Sequence, residues 1–266
     1  MMNLPETNKI YQGDCLEIMR QWPDNFIDLT VTSPPYDSLR TYTGFSFDAP
    51  GVLKELFRIT KDGGVCVWVV GDQVIDGSES LTSFKQAIAG VECGFRLHDT
   101  MIYGKDGTPF PDATRYRPCF EYMFIFSKNA PKTFNPIKKP SIHAGKKVTG
   151  HDRQPDGSLT DRMDKIYPDM APLPNIWFYS PGFMKSSKDI LAFEHPATFP
   201  EKLAADHIIS WSNPHDIVFD PFSGSGTTCL LAERHDRKWI GIEIEPKYCS
   251  ISQKRLDAEM AQRKLF

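Results

Sequence analysis

The sequence has no CxxC pair, no Gly-Lys-Ser/Thr phosphate loop, no internal repeat and no apolar run near the roughly 18 residues of a membrane span. Each absence removes a class. The six cysteines (Cys15, Cys66, Cys93, Cys119, Cys229, Cys249) are scattered, which argues against a metal site or disulfide framework and for a reducing, cytoplasmic setting. Met1 to Ile10 is polar and contains proline, unlike a signal peptide. Neither sign of charge dominates: 31 Lys/Arg stand against 34 Asp/Glu, net −3. What is present is a folding composition. At 266 residues, 40% hydrophobic and 12% aromatic, the chain can bury one large domain, or one domain with an insertion, and is too apolar for general disorder.

The near-neutral total hides an uneven distribution. Residues 1–127 carry 11 Lys/Arg and 17 Asp/Glu, residues 128–190 carry 11 and 6, and residues 191–266 carry 9 and 11. The middle segment alone is basic, with Lys138, Lys139, Lys146, Lys147 and Arg153, and it holds eight prolines and little periodicity. A polyanion would feel that patch rather than the net charge; otherwise it is a solvated surface insertion.

Short β-branched and aromatic runs bounded by turn residues read as buried strands at 29–32, 65–70, 100–103, 121–127, 217–220 and 239–244. Helical spacing marks 51–60, closed by Gly63-Gly64, then 80–89, 227–235 and a long amphipathic helix from Pro246 to Arg263. Alternating strands and helices predict a doubly wound α/β fold with a mostly parallel sheet. The loop between 100–103 and 121–127 is too short for a helical crossover, so 121–127 is expected as an antiparallel edge strand.

Residues 217–228, IVFDPFSGSGTT, read as a strand ending at Asp220, a tight turn through Gly224 and Gly226, and a helix start. Such a turn brings backbone N–H groups and a helix N-terminus to a ligand. Glu243 ends the next strand 17 residues after Gly226, close to the spacing at which an acid meets ribose hydroxyls. Gly226-Thr227-Thr228 lacks the phosphate-clamping lysine, Cys229 replaces the third small residue of a dinucleotide turn, and Asp220 would repel a pyrophosphate. A ribose-bearing cation without phosphate fits better, which points to S-adenosylmethionine (AdoMet). Near the N-terminus, IDLTVTSPPY carries a second strand into Ser33-Pro34-Pro35-Tyr36. Two prolines stiffen the backbone and leave carbonyls as rigid acceptors, and Tyr36 adds an aromatic plate, a combination able to hold the amine of a stacked base.

Together the two motifs resemble those of the DNA amino-methyltransferases, which methylate cytosine N4 or adenine N6. The family patterns [D/N/S]-P-P-[Y/F] and F-x-G-x-G are matched by Ser33–Tyr36 and Phe222–Gly226, and their order is that of the β class. Ile10–Glu17, Arg117–Lys128 and His195–Ala204 resemble the adenine-contacting stretch, the wall of the base pocket and the helix start that closes over the methionine end. The resemblance implies an AdoMet-dependent methyltransferase fold of permuted motif order, formed by residues 1–128 and 191–266, with 129–190 inserted as a target-recognition region.

The resemblance further implies roles. Ser33, Pro34, Pro35 and Tyr36 would be catalytic. Asp14, Asp220, Phe222, Gly224, Gly226, Thr227, Thr228, Glu243 and Lys202 would surround AdoMet. The charge distribution, rather than the resemblance, assigns DNA contacts to Lys138, Lys139, Lys146, Lys147 and Arg153 of the basic segment, with Arg115 and Arg117 from the 105–117 loop. His195 is expected to brace its turn, and Cys119 to be a small buried thiol rather than a nucleophile. Serine at the first motif position leans toward cytosine N4, with adenine N6 the alternative. The implied partners are double-stranded DNA and, in a restriction-modification setting, a cognate endonuclease; monomer or homodimer stays open. Rival readings are an RNA or nucleobase methyltransferase, a dehydrogenase, and an AdoMet-binding DNA-recognition protein without turnover.

Overall fold

The computed structural model describes residues 4–35, 47–107, 114–116, 118–161, 166–198 and 200–263. In chain order the elements are β1 (Lys9–Gln12), α1 (Cys15–Met19), β2 (Ile27–Thr32), α2 (Ala49–Ile59), β3 (Thr60–Val70), the hairpin strands β4 (Val74–Ile75) and β5 (Ser78–Glu79), α3 (Thr82–Glu92), β6 (Arg96–Lys105) and β7 (Phe120–Ser127). Four short strands follow, β8 (Lys138–Pro140), β9 (His151–Arg153), β10 (Leu159–Asp161) and β11 (Met170–Pro172). The chain ends with β12 (Ile176–Tyr179), a 3-10 turn (Ile190–Glu194), α4 (Glu201–Trp211), β13 (Ile217–Asp220), α5 (Thr227–Arg234), β14 (Lys238–Glu243) and α6 (Pro246–Arg263).

Eight strands form one sheet in the order β1-β14-β13-β2-β3-β7-β6-β12. All neighbours run parallel except β7, which is antiparallel to both β3 and β6. The strand expected at an edge is therefore antiparallel but interior. The short apolar Ile176–Tyr179 segment pairs with β6 and takes the edge instead. Along β3 the side chains alternate between two cores. Val65, Val67 and Val69 join Leu203, Ile208, Leu230 and Leu256 on one face. Cys66, Trp68 and Val70 join Val52, Leu53, Leu56 and Phe126 on the other. Burial on both faces explains why these strands are continuously apolar instead of alternating. Trp68 is fully buried with its indole N–H donating to Gln86 Oε1 at 2.8 Å, and burial of such a ring contributes about 3–5 kcal/mol.

Helix α2 begins on Asp48, whose side chain accepts the Gly51 N–H, with proline in the first turn. It closes at Thr60, whose backbone is already extended and whose hydroxyl donates to the Leu56 carbonyl. Gly63 and Gly64, expected to end this helix, lie instead inside β3, where Gly63 takes φ +79° beside a register shift against β2.

By compactness the chain has two units, Pro136–Pro174 and everything else. The inserted unit is narrower than the expected 129–190, because 175–179 belongs to the main sheet and Asn135 bonds into the 209–213 segment. It consists of two antiparallel strand pairs, β8 with β11 and β9 with β10, and none of its described residues is buried. No helix among the described residues is long and apolar enough to cross a membrane.

A titratable ring in the core has a measurable consequence. His207 of α4 is fully buried, with Nε2 3.2 Å from Met123 Sδ and the ring 4.9 Å from Trp177. Burial lowers its pKa from 6.5 to about 3. The unfolded chain therefore binds a proton at pH 6.5 that the folded chain refuses until about pH 3, and stability is lost as pH falls through that window. Asp220 acts with the opposite sign, since its folded pKa is raised to about 6 from 3.8. Comparing wild type with His207→Met isolates the histidine: the stability difference should change by about 1 kcal/mol per pH unit below 6.5. Parallel unfolding midpoints for the two proteins from pH 7 to pH 4 would refute this.

Candidate active site

Two loops leave the same end of the sheet from neighbouring strands. β2 and β13 are parallel partners, with Leu29 opposite Val218 and Thr30 opposite Phe219. This register brings the end of β2, which leads into Ser33-Pro34-Pro35, against the end of β13, which leads into the glycine loop. The junction is bonded. The Thr32 hydroxyl donates to Asp220 Oδ1 at 2.7 Å, and the Thr228 hydroxyl donates to the Val31 carbonyl at 3.0 Å. Pro34 is buried, and Ser33 and Pro35 are half-buried; Tyr36 lies outside the described residues.

Asp220 is buried beneath the loop, not presented on it. Besides the Thr32 hydroxyl, Oδ1 accepts the Phe222 N–H at 3.0 Å, and burial raises its pKa to about 6 against the pull of those donors. It is a brace for the turn. The turn itself requires glycine: Gly224 has φ +52° and Gly226 φ +80°. A Cβ on Gly226 would run into Ser252 Oγ of α6, and one on Gly224 would come within 3.1 Å of His195 Nε2.

Glu243 ends β14 beside the loop and is buried. Its Oε2 accepts the Gly224 N–H at 2.8 Å and its Oε1 accepts the Glu245 N–H at 2.9 Å. Burial raises its pKa, opposed by those two amides. Each oxygen spends one acceptor position, so the carboxylate keeps capacity for paired hydroxyls such as a ribose offers. Asp14 sits one strand further along: Gln12 is opposite Glu243, and the Gly13 N–H donates to the Glu243 carbonyl. The Asp14 side chain caps α1 through the Glu17 N–H at 3.0 Å.

Some of the remaining residues depart from expectation and others, His195 among them, meet it. Lys202 points its ammonium at Asp206, 2.7 and 2.9 Å from the two carboxylate oxygens, as an i,i+4 pair along α4. The structure thus gives Lys202 a partner within its own helix, because Asp206 is the nearest anion on that face. Its neighbour Glu201 reaches the glycine loop instead, through Arg255. His195 braces its turn by accepting the Ala197 N–H at Nδ1 (3.1 Å), and its ring meets Tyr248 edge-on at 4.3 Å. Cys119 is exposed, not buried, because it precedes the first residue of β7. Arg115 donates to the Gly77 carbonyl at 2.7 Å, and Arg117 lies outside the described residues. Lys138, Lys139, Lys146, Lys147 and Arg153 are all exposed on the 136–174 unit.

Comparison with known proteins fits this geometry. A DNA methylase family, that of the N6/N4 methyltransferases, matches residues 27–254. The chain belongs to the DNA amino-methyltransferase family. Its members transfer methyl groups from AdoMet. The orphan methyltransferase M.BamHII of Bacillus amyloliquefaciens is 54% identical over 88% of this chain and 89% of its own length. The type II methyltransferase M.BglII of Bacillus subtilis is 28% identical over 97% of this chain and 71% of its own. Among solved structures, the PvuII DNA methyltransferase (cytosine-N4-specific) superposes with a TM-score of 0.67 at 23% identity, covering 97% of this chain and 92% of its own. That likeness speaks for the fold: an α/β methyltransferase sheet.

The sequence reading missed two residues of this region. Thr32, which bonds the two loops together, was hidden among strand residues. Arg255, on α6, has its side chain wholly buried yet charged. Its sequence signal is a cation on the α6 face shared by Tyr248, Ser252 and Leu256.

Proposed function

We propose that this chain methylates the exocyclic amine of a base flipped out of double-stranded DNA, with cytosine N4 as the target. The observation that carries the reading is the Thr32–Asp220 bond, which ties the root of the Ser-Pro-Pro corner to the root of the glycine loop. The pocket suits AdoMet. Two glycines hold a left-handed turn, Glu243 has acceptor capacity beside it, and Asp14 stands at the end of the adjoining strand. In this reading Phe222, Gly224, Gly226 and Thr227 line the loop, Glu243 takes the ribose hydroxyls and Asp14 the adenine end. Asp220 and Thr228 hold the loop from below.

When bound, AdoMet supplies an electrophilic methyl group on its sulfonium. The chain's own part is positioning. The Ser33 hydroxyl and the Pro34 carbonyl accept hydrogen bonds from the target amine. Those bonds favour a pyramidal nitrogen and turn its lone pair toward the methyl carbon. The amine proton leaves along the same acceptors to water, and Tyr36 stacks on the base. Alignment of this kind can supply several kcal/mol of the ~7–11 kcal/mol open to ideal orientation. No covalent enzyme intermediate is needed, in keeping with an exposed Cys119 whose role nothing in the site requires.

Serine supports cytosine because it is a neutral acceptor, weaker than the aspartate more usual in adenine-directed relatives. The basic unit at 136–174 would serve as the target-recognition region, its lysines meeting phosphates and Arg153 reaching base edges. The exposure of its described residues suits a surface that meets a polyanion. Arg115 and Arg117 would add phosphate contacts.

The test is incubation of the protein with labelled AdoMet and duplex DNA, followed by digestion to nucleosides. The expected product is N4-methylcytosine. N6-methyladenine alone would overturn the base assignment, and label on RNA but not on duplex DNA would overturn the substrate.

A further inference from the structure

One face of α6 forms a bed under the glycine loop. Tyr248, Ser252 and Arg255 follow one another at spacings of four and three residues, so they share that face. Tyr248 supports the His195 ring that lies against Gly224, and Ser252 fills the space behind Gly226. Arg255 reaches the residue between them. Its Nη1 donates to the Ser225 carbonyl at 2.6 Å, its Nε to Asp189 at 2.6 Å and its Nη2 to Glu201 at 2.9 Å. Glu201 is fixed in turn by the Ser187 hydroxyl at 2.6 Å.

We propose that Arg255 is a positioning residue for the methyl donor: its guanidinium locks the Ser225–Gly226 peptide plane in the shape that binds AdoMet. The proposal rests on the reading that this loop holds the donor. A turn with glycine on both sides of Ser225 has little intrinsic resistance to peptide rotation. Here the plane is held at both ends, the carbonyl by Arg255 and the Gly226 N–H by the Ser223 carbonyl at 2.7 Å. Without the guanidinium the loop would spend most of its time in other shapes, and apparent affinity falls by the fraction that remains competent. Arg255 also ties the loop to Asp189 and Glu201 through their carboxylates. A planar fork suits this task, since three directions are served from one buried cation.

The test compares wild type with Arg255→Gln and Arg255→Lys in the full chain. AdoMet affinity is read by calorimetry, and methyl transfer to duplex DNA is measured at varied AdoMet and varied DNA. Arg255→Gln should raise the AdoMet Kd and KM about tenfold or more, while kcat at saturating AdoMet and KM for DNA stay within about twofold; Arg255→Lys should fall between. A loss of kcat with unchanged AdoMet KM would mark a merely structural arginine and overturn the proposal. Should Arg255→Gln fail to fold, Arg255→Lys and Asp189→Asn decide by the same split: an AdoMet KM raised about threefold supports it, and an unchanged one overturns it. Gly226→Ala separates the two levels. If that variant binds AdoMet normally, the assignment of the loop has failed; if it loses AdoMet while the Arg255 variants do not, only the positioning role has.

Discussion

Gly226→Ala should lose AdoMet binding by about a hundredfold or more while keeping its affinity for DNA. The position combines two penalties. The residue takes φ +80°, where a Cβ costs about 1–2 kcal/mol. The same Cβ would collide with Ser252 of α6, a helix pinned against the loop by Arg255. The backbone must therefore shift, and the neighbouring Gly224 N–H shifts off Glu243 with it. Titration calorimetry with AdoMet reads the loss, and a DNA shift assay supplies the control. The double variant Gly226→Ala with Ser252→Gly removes the collision and leaves the conformational strain, so it should recover part of the affinity. A single variant that binds AdoMet within threefold of wild type would remove the glycine loop from the donor site.

Replacing Lys138, Lys139, Lys146 and Lys147 together by glutamine should weaken duplex binding by roughly 10²–10³-fold near 0.1 M salt and reduce the steepness of its salt dependence by about 3–4, because each phosphate contact contributes a slope of about 0.9. AdoMet affinity should not change. All four side chains are exposed, and none is placed in the main sheet. The substitutions therefore leave both cores intact, and a folding defect is not the expected outcome. A change in salt slope smaller than one would show that DNA is held elsewhere, and Arg115 and Arg117 would be the next residues to test.

Much of the architecture was legible because its strands are buried on both faces. Val65 to Val70 and Ile217 to Asp220 show apolar runs that neither a surface strand nor a loop would carry. The edges were harder. Ile176–Tyr179 is apolar but only four residues long, and it leaves Ile176 and Phe178 exposed, so only pairing with β6 makes it a strand of the sheet. The antiparallel strand β7 is interior for a separate reason: β6 pairs along its far side, so it lies between β3 and β6. Lys202 shows a different limit. Its place in the motif suggested a ligand contact, but the anion one helical turn away was available without any ligand.

The sequence by itself determined the chemistry-bearing pieces: two glycines for a left-handed turn, two prolines for a stiff acceptor corner, and an acid at the end of the next strand. These are local properties, set by which backbone angles and donors each residue type allows. The tertiary structure alone decided that the pieces meet. Nearly two hundred residues separate Thr32 from Asp220, and their hydrogen bond exists because β2 and β13 lie side by side in register. Likewise only the packing of α6 made Arg255 a buried support for the loop, since a lone arginine late in a helix otherwise reads as a solvated cation.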